Sequence, residues 1–288
     1  ILGGFPNFGN PNLSNRNWAT HVTSLSGEIG APGMADNSAS VIYNSNINST
    51  AVLDGFHVLF GNNTIGNLRG GGMHNDDNSS PTIRNCTFLS NFSSYGGAVY
   101  NFTNCAPVFT NCVFLGNQSG DWGGACFSES SSMVTFINCS FSGNTGNPGV
   151  IYSNGMPAVL NNCIIWNNLS SNAWLDWGAS VQYSSLPAAF PGPGNRTGNP
   201  GFVDLAGADG VVGTHDDDLQ LATTSSCIDA GDNTAIAASV LLDVSGEPRF
   251  VDVPFVADTG AAGGASGPAI VDMGAYERQV PCPADYNG

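Results

Sequence analysis

Lysine is absent from this 288-residue sequence, and only six arginines stand against 22 acidic residues. The formal net charge is −16, and charged residues make up only 10% of the chain. Such a chain has few cations to neutralise phosphate groups, so the composition argues against nucleic acid and anionic membranes as partners. Apolar runs of membrane-spanning length are missing too, so the sequence predicts no membrane span.

A leader segment is also missing at the start of the sequence, which opens ILGGFP rather than with methionine. This opening is similar to an interior strand of the repeats described below. We therefore expect the chain to be processed or excerpted from a longer protein, and the missing leader does not indicate a cytosolic location.

Helix signals are scarce, because 38 glycines and 16 prolines interrupt the chain. The sequence instead contains one short motif that occurs four times, at spacings of 26, 27 and 24 residues. Each repeat motif begins with Asn-Cys, at Asn85-Cys86, Asn111-Cys112, Asn138-Cys139 and Asn162-Cys163. A second asparagine follows six positions after each start, at Asn91, Asn117, Asn144 and Asn168. A fixed period in this range indicates a repeat architecture.

Within each repeat, apolar residues occupy alternate positions, which is the period of a strand with one buried face. Asparagine and glycine tolerate the left-handed backbone that sharp corners require. Each repeat is therefore predicted to be one coil of an all-β parallel solenoid, with coils about 4.8 Å apart. Cysteine and phenylalanine are expected to stack inside, and the asparagines to form amide ladders.

Several motifs resemble known families. The F-x-x-N steps that start at Phe88, Phe114 and Phe141, together with Gly-Gly-Ala, resemble repeats of polymorphic outer-membrane proteins. They are also similar to the right-handed parallel β-helix, or pectate-lyase-like, superfamily. Residues 199–277 resemble the closing segment of secreted bacterial "choice-of-anchor Q" proteins. These resemblances imply a right-handed β-helix and a secreted or cell-surface location, but no single activity.

The composition changes near residue 200. Of 33 asparagines, 31 precede this point, whereas 14 of the 22 acidic residues follow it. We assign residues 1–190 to the β-helix coils and residues 191–288 to an acidic, loop-rich closing region that caps the last coils. Its resemblance to the closing family involves Asp229, Asp232, Arg249, Asp272 and Glu277, which we interpret as a structural ion-pair and turn network. The final CPADYNG resembles the start of a dockerin calcium loop and indicates the beginning of an anchoring tail.

Eight cysteines in a secreted protein would ordinarily suggest four disulfides. The four cysteines of the repeat share one inward column and point the same way, whereas a disulfide needs a near-perpendicular torsion. We therefore expect them to be free, buried thiols that act as small apolar side chains. The others offer two candidate pairs, Cys105 with Cys126 and Cys227 with Cys282.

The acidic region contains a candidate metal site. Clustered carboxylates suit Ca²⁺, so we predict a structural calcium site with four ligands, Asp209, Asp216, Asp217 and Asp218. The alternative is a solvated acidic loop, since the spacing does not match an EF-hand.

Aromatic residues provide a second candidate site, because their faces stack on sugar rings. The candidate glycan contacts are Trp122, Trp166, Trp174 and Trp177. Alternatively, these rings cover the apolar coils beneath them. Candidate glycosylation sequons start at Asn91, Asn117 and Asn168.

Catalytic groups are few. Residues 85–170 contain only Asp121 and Glu129 as acids and no lysine or arginine. The best remaining set is His74 and Arg84 with the adjacent Asp76 and Asp77, which would point to opposite faces of a strand. We therefore predict no catalytic residues.

Two functions remain. The first is a non-enzymatic extracellular or cell-surface protein for structure or adhesion, whose partners are cell-surface glycans or further copies of itself in a head-to-tail fibre. The second is a carbohydrate-active enzyme (polysaccharide lyase or hydrolase) or a glycan-binding module.

Overall fold

The computed structural model describes residues 1–9, 11–31, 33, 35–64, 68–170, 175–176, 178–264 and 269–280. These residues form an all-β parallel solenoid with two short 3₁₀ helices, Leu13–Asn15 and Asn233–Ala235. The all-β parallel β-helix predicted from the repeats is therefore confirmed.

Two long sheets form adjacent walls of the solenoid. The eight-stranded sheet contains Ser24–Ser26, His57–Leu59, Thr87–Leu89, Val113–Leu115, Ser140–Ser142, Ile164–Ile165, Ser185–Leu186 and Arg196–Thr197. The six-stranded sheet contains Val52–Asp54, Thr82–Arg84, Val108–Thr110, Thr135–Ile137, Val159–Asn161 and Ser180–Gln182. Neighbouring strands in both are parallel and belong to successive coils.

Two shorter sheets complete the coil. The five-stranded sheet contains Ile42–Ser45, Met73–Asp76, Val99–Asn101, Cys126–Glu129 and Ile151–Asn154. The three-stranded sheet contains Asn62–Asn63, Phe92–Tyr95 and Gln118–Trp122. Beyond the coils, Phe202–Asp204 pairs antiparallel with Asp218–Leu221.

The interior contains columns in which one residue type recurs from coil to coil. Phe88, Phe114 and Phe141 stack nearly parallel, with ring centroids 5.1 and 4.7 Å apart. The four repeat cysteines form a neighbouring column and are fully buried, at Cys86, Cys112, Cys139 and Cys163. Because parallel pairing without register shifts gives every coil the same environment, one packing solution is repeated along the axis.

The first asparagine of each repeat motif makes the corner between the six-stranded and eight-stranded sheets. Asn85, Asn111, Asn138 and Asn162 have φ values of 52°, 51°, 49° and 55°. Asparagine adopts this left-handed backbone more readily than most residues, because its short polar side chain can form local hydrogen bonds. Asparagine therefore recurs at the same position of each repeat because the corner requires a left-handed backbone there.

The second asparagine of each repeat motif forms a buried ladder. The Nδ2 atom of Asn91 donates to Oδ1 of Asn117, that of Asn117 to Asn144, and that of Asn144 to Asn168, each at 2.9 Å. Each amide also donates to a main-chain carbonyl, such as Phe88 O for Asn117. The ladder therefore satisfies backbone groups at a corner where the sheet hydrogen bonds are interrupted.

The division at residue 190 stays a prediction. Beyond it, Arg196–Thr197 still pairs with Ser185–Leu186 as the last strand of the eight-stranded sheet. The chain from residue 199 to 280, called the closing segment below, lies along the outer face of that sheet and reaches its early coils. Leu219, Val244 and Ala275 pack there against Leu89 and Leu115. The closing segment therefore packs along the side of the solenoid as well as against the last coils. In this role we call it the lateral strap.

The corner asparagines also hold this strap. The Nδ2 atoms of Asn111, Asn138 and Asn162 donate to main-chain carbonyls of Leu242, Asp272 and Asp232 at 2.8, 3.1 and 3.0 Å. The Trp18 indole donates to Val244 O at 2.8 Å. One asparagine column therefore both turns the chain and binds the closing segment.

Candidate functional site

The outer face of the five-stranded sheet carries a stripe of rings, which we call the aromatic stripe. Parallel register places one ring of each coil above the next, from Tyr43 through His74, Tyr100 and Phe127 to Tyr152. Centroids of successive rings are 5.1, 5.1, 5.6 and 6.0 Å apart. With a coil spacing of about 4.8 Å, the stripe extends for roughly 19 Å.

A groove opens beside the middle of this stripe. It has a volume of about 190 Å³, and its lining comprises Arg69, Tyr95, Tyr100, Trp122, Phe127 and Glu129. Trp122 comes from the three-stranded sheet and lies 5.3 Å from Phe127 and 5.8 Å from Tyr152, centroid to centroid. Its side chain is 37% exposed, so one face of the groove remains open to solvent.

Polar groups border the rings. The guanidinium of Arg69 lies 5.1 Å from the centroid of Tyr100 and 4.7 Å from that of Phe102, which is cation–π geometry. One of its nitrogens is 3.6 Å from Oε1 of Glu129, and the hydroxyl of Tyr100 donates to the same oxygen. The groove thus combines flat apolar faces with one cation and one carboxylate.

The electrostatics of the stripe keep its titratable rings neutral. Burial lowers the pKa of His74, although Asp76 opposes this shift. Burial also raises the pKa of Tyr100, and its hydrogen bond to Glu129 adds to this rise. At neutral pH both rings are therefore uncharged. His74 and Tyr100 are only 2% and 0% exposed, so they pack inside the protein beside the groove.

Acid–base chemistry has little support at this groove. Of the six described residues that line it, Glu129 is the only carboxylate, whereas glycoside hydrolysis commonly uses two. Of the catalytic set considered from the sequence, Arg84 pairs with Asp54 at 2.8 Å. Asp77 lies after its strand with φ at 49°, and His74 belongs to the aromatic stripe. The set does not converge on one reacting centre.

The four candidate tryptophans do not form one surface. Trp122 lines the groove, but Trp166 packs against an apolar cluster of the closing segment that includes Cys227 and Met273. Trp174 and Trp177 lie outside the described residues.

The aromatic stripe cannot be inferred from composition, but the positions of its rings in the repeat do indicate it. In GGAVY and GGACF the ring stands two places after Gly-Gly-Ala, which fixes the phase of Tyr100 and Phe127.

The acidic loop uses its carboxylates internally. Asp216 accepts hydrogen bonds from the Asp209 amide at 3.0 Å and the Thr214 hydroxyl at 2.8 Å. Asp217 accepts from the Gly213 amide at 2.7 Å, and Asp218 from the Gln220 amide at 2.9 Å. The Thr214 hydrogen bond lowers the pKa of Asp216, whereas burial raises that of Asp217. These residues do not converge as metal ligands, so calcium at this loop stays a prediction without geometric support.

The three candidate sequon asparagines belong to the buried ladder. Asn91 and Asn117 are 1% and 0% exposed, Asn168 is 7% exposed, and their Nδ2 atoms donate inside the coil. A glycan on Nδ2 would replace these hydrogen bonds, so the folded coil disfavours attachment there. Occupancy of these sequons stays a prediction.

The described cysteines are all free and buried. The suggested pairing of Cys105 with Cys126 is therefore wrong for this structure, and Cys227 is also free. Its suggested partner, Cys282, lies outside the described residues, as does the expected start of an anchoring tail. Burial raises the pKa of Cys86 and of Cys126 to about 12, as expected for apolar packing residues.

Comparison with known proteins supports the fold. Residues 33–164 match a family model described as a right-handed β-helix region, so the coils have the predicted hand. No curated protein and no solved structure matches the chain. The finer resemblances, to pectate-lyase-like proteins, to polymorphic outer-membrane proteins and to choice-of-anchor Q proteins, stay predictions. In the part of the chain that the structure describes, no helix is long and apolar enough to cross a bilayer.

Proposed function

We propose that this β-helix is a non-enzymatic extracellular structural or adhesion module that contacts neutral glycans at the groove beside its aromatic stripe, where Trp122 is the exposed ring. The observation that carries the proposal is the groove in which Trp122 and the stripe meet Arg69 and Glu129. Sugar rings stack on aromatic faces through their C–H groups, and their hydroxyls pair with charged side chains at the edges.

The charge of the chain favours a neutral ligand. A net charge of −16 repels acidic polysaccharides, and Arg69 is the only cation among the lining residues of the groove.

Affinity electrophoresis of the purified protein in gels that contain a panel of neutral polysaccharides tests this proposal. We expect at least one polysaccharide to retard the protein, and Trp122→Ala to reduce that affinity by about tenfold, which corresponds to about 1.4 kcal/mol. Phe8→Ala is the matched control, since Phe8 is an 89% exposed ring outside the groove. Equal losses in both variants, or no retardation by any polysaccharide, would contradict the proposal.

The runner-up is a carbohydrate-active enzyme that uses the same groove. The lone carboxylate Glu129 speaks against it. Incubation with neutral and acidic polysaccharides, followed by assays for new reducing ends and for unsaturated sugars, separates the two functions. Cleavage that disappears in Glu129→Gln would replace the adhesion proposal with an enzymatic one.

Head-to-tail self-association, the other partner expected from the sequence, remains a proposal. It would use an apolar hollow of about 380 Å³ at the first coils, bordered by Leu25, Ile42 and Leu53. Analytical ultracentrifugation over a range of concentrations tests it. A constant monomer mass at high concentration would rule out this mode of assembly.

A further inference from the structure

Three aspartates of the closing segment form a cluster separate from the acidic loop. One carboxylate oxygen from each of Asp229, Asp252 and Asp258 lies within 4.8 Å of the others. Asp229 is fully buried, whereas Asp252 and Asp258 are exposed. The cluster therefore extends from the protein surface to a buried carboxylate.

The Asp229 carboxylate has no hydrogen-bond partner of normal geometry in the described part of the chain, although its main chain is well fixed. Its amide donates to Oδ1 of Asp272 at 2.7 Å, and its carbonyl accepts from the amides of Thr259 and Gly260 at 2.9 and 3.2 Å. A buried carboxylate is ordinarily hydrogen-bonded, paired with a cation or bound to a metal. This one points instead at two further carboxylates.

The negative charges of the cluster also favour a bound cation. Burial raises the pKa of Asp229 to about 6, and the charges of Asp252 and Asp258 add to this rise, while the amide of Val253 opposes it. Carboxylates this close repel one another when they are ionised. A bound cation would remove this repulsion.

The loop that carries the two exposed aspartates is held in place. Val253 and Val256 pack against the apolar cluster that contains Ile228 and Ala230, the neighbours of Asp229. The amide of Val256 also donates to Val253 O at 3.1 Å. Asp252 and Asp258 are therefore positioned over Asp229 by packing, so the ligands are arranged before an ion binds.

We propose that Asp229, Asp252 and Asp258 bind a structural calcium ion that fastens residues 252–258 to Asp229 within the closing segment. Calcium is a hard ion that takes six to eight oxygen ligands in flexible geometry, so water and main-chain carbonyls would supply the remaining ligands. The acidic loop differs in that its carboxylates already accept hydrogen bonds from their own loop.

Isothermal titration calorimetry of chelator-treated full chain with CaCl₂ tests the site. We expect one saturable site with a dissociation constant on the order of 10⁻⁵ to 10⁻³ M, together with a higher Tm in Ca²⁺. Asp229→Asn should abolish binding. The substitution keeps the side-chain shape, and asparagine tolerates the φ of 49° at this position.

Two further variants protect the test against misfolding of the buried substitution. Asp252→Asn and Asp258→Asn alter exposed positions, and each should weaken Ca²⁺ binding about tenfold or more. The matched control is the double variant D209N/D218N, which removes two charges from the acidic loop and should bind as the parent does. Calcium binding that survives in D252N and D258N, or that disappears in D209N/D218N, would overturn the proposal. The absence of saturable binding up to 10 mM CaCl₂ would also overturn it, because this concentration is roughly ten times the largest dissociation constant expected.

The calcium site and the proposed glycan contact can fail independently. The cluster lies in the closing segment, whereas the groove lies on the five-stranded sheet. Loss of calcium binding in D229N with unchanged glycan retardation would support the site and leave the proposed function intact.

Discussion

The coil stack and the closing segment satisfy their buried polar groups in different ways. The stack uses neutral amides, with Asn91, Asn117 and Asn144 linked in one repeated hydrogen-bond pattern. The closing segment uses charges, since the fully buried Arg249 lies 3.7 Å from Glu277 and donates to the main-chain carbonyl of Asp272 at 3.0 Å.

The difference follows from symmetry. In a parallel stack, each amide has both a donor and an acceptor, so identical residues can serve one another indefinitely. A segment without repeats has no such neighbour, and every buried group needs its own partner. Glu277 therefore accepts from the amides of Val251 and Asp272, while Asp272 accepts from those of Asp229 and Arg278. Of the residues expected from the sequence to form an ion-pair and turn network, Arg249, Asp272 and Glu277 are joined in this way.

The largest expected effect concerns thiol reactivity. With a pKa of about 12, Cys86 has a thiolate fraction at pH 8 roughly a thousandfold below that of an ordinary thiol, so alkylation of the folded protein should be slower by at least that factor. Raising the pH toward 12 increases the thiolate fraction and should speed the reaction. In mild denaturant we expect Cys227 to react before Cys86, because irregular segments open before stacked strands. Peptide mass mapping reads out both sites.

Cys126 is the control for that experiment, since it lies in the coil core and has a similarly raised pKa. It should be labelled together with Cys86. Labelling of the coil thiols ahead of Cys227 would reverse the order of stability inferred for the two regions.

The second effect is loss of the buried cation. Arg249→Met leaves the carboxylates of Asp272 and Glu277 buried without their counter-charge, and we expect the closing segment to lose about 3 kcal/mol or more of stability. Urea unfolding monitored by tryptophan fluorescence measures the change, because Trp18 and Trp166 both contact the closing segment. The partly exposed Arg69→Met is the control, and a similar loss there would remove the distinction between buried and exposed charge.

The third effect tests the neutral ladder. Asn117→Ala leaves the amide of Asn91 and the carbonyl of Phe88 without their partners, so we expect a loss of about 2 kcal/mol in urea unfolding. Asn161→Ala makes the same chemical change at a half-exposed strand position and should alter stability by about 0.5 kcal/mol or less. Equal losses would show that the ladder adds nothing beyond an ordinary asparagine.

The smallest effect concerns a corner of the closing segment. The coils place asparagine at left-handed positions, but Phe255 occupies one with φ at 73° and its ring fully exposed. Phe255→Asn should therefore stabilise the segment by about 0.5 to 1 kcal/mol. Leu241→Asn, an exposed apolar residue outside this backbone region, is the control. Equal gains would assign the effect to polarity rather than to backbone strain.

The coils could be predicted from the sequence because residues one repeat apart lie directly above one another in the stack. The spacing of Asn85, Asn111 and Asn138 defines corners and strand phase without any knowledge of distant contacts. The course of the closing segment could not be predicted in the same way. Its contacts, such as Leu242 with Asn111, join residues 131 apart with no repeat to relate them.

The candidate sites divide along the same line. The aromatic stripe was predictable in principle from the phase of Tyr100 and Phe127, whereas tryptophan content indicates only Trp122, which lines the groove beside the stripe. Asp252 and Asp258 come together with Asp229 only through the folded course of the closing segment. Density of acidic residues along the chain points to the acidic loop and not to this cluster, because hydrogen bonding within a loop is invisible in composition.

The lateral strap changes how such a protein can come apart. A solenoid held only by neighbouring coils can unravel from an end, one coil at a time. Here the closing segment contacts Trp18 near one end and Asn162 near the other, so early and late coils share a common tie. Mechanical pulling on the two termini would therefore meet a single high-force rupture at the tie, followed by rapid release of the coils, instead of a sawtooth of equal steps.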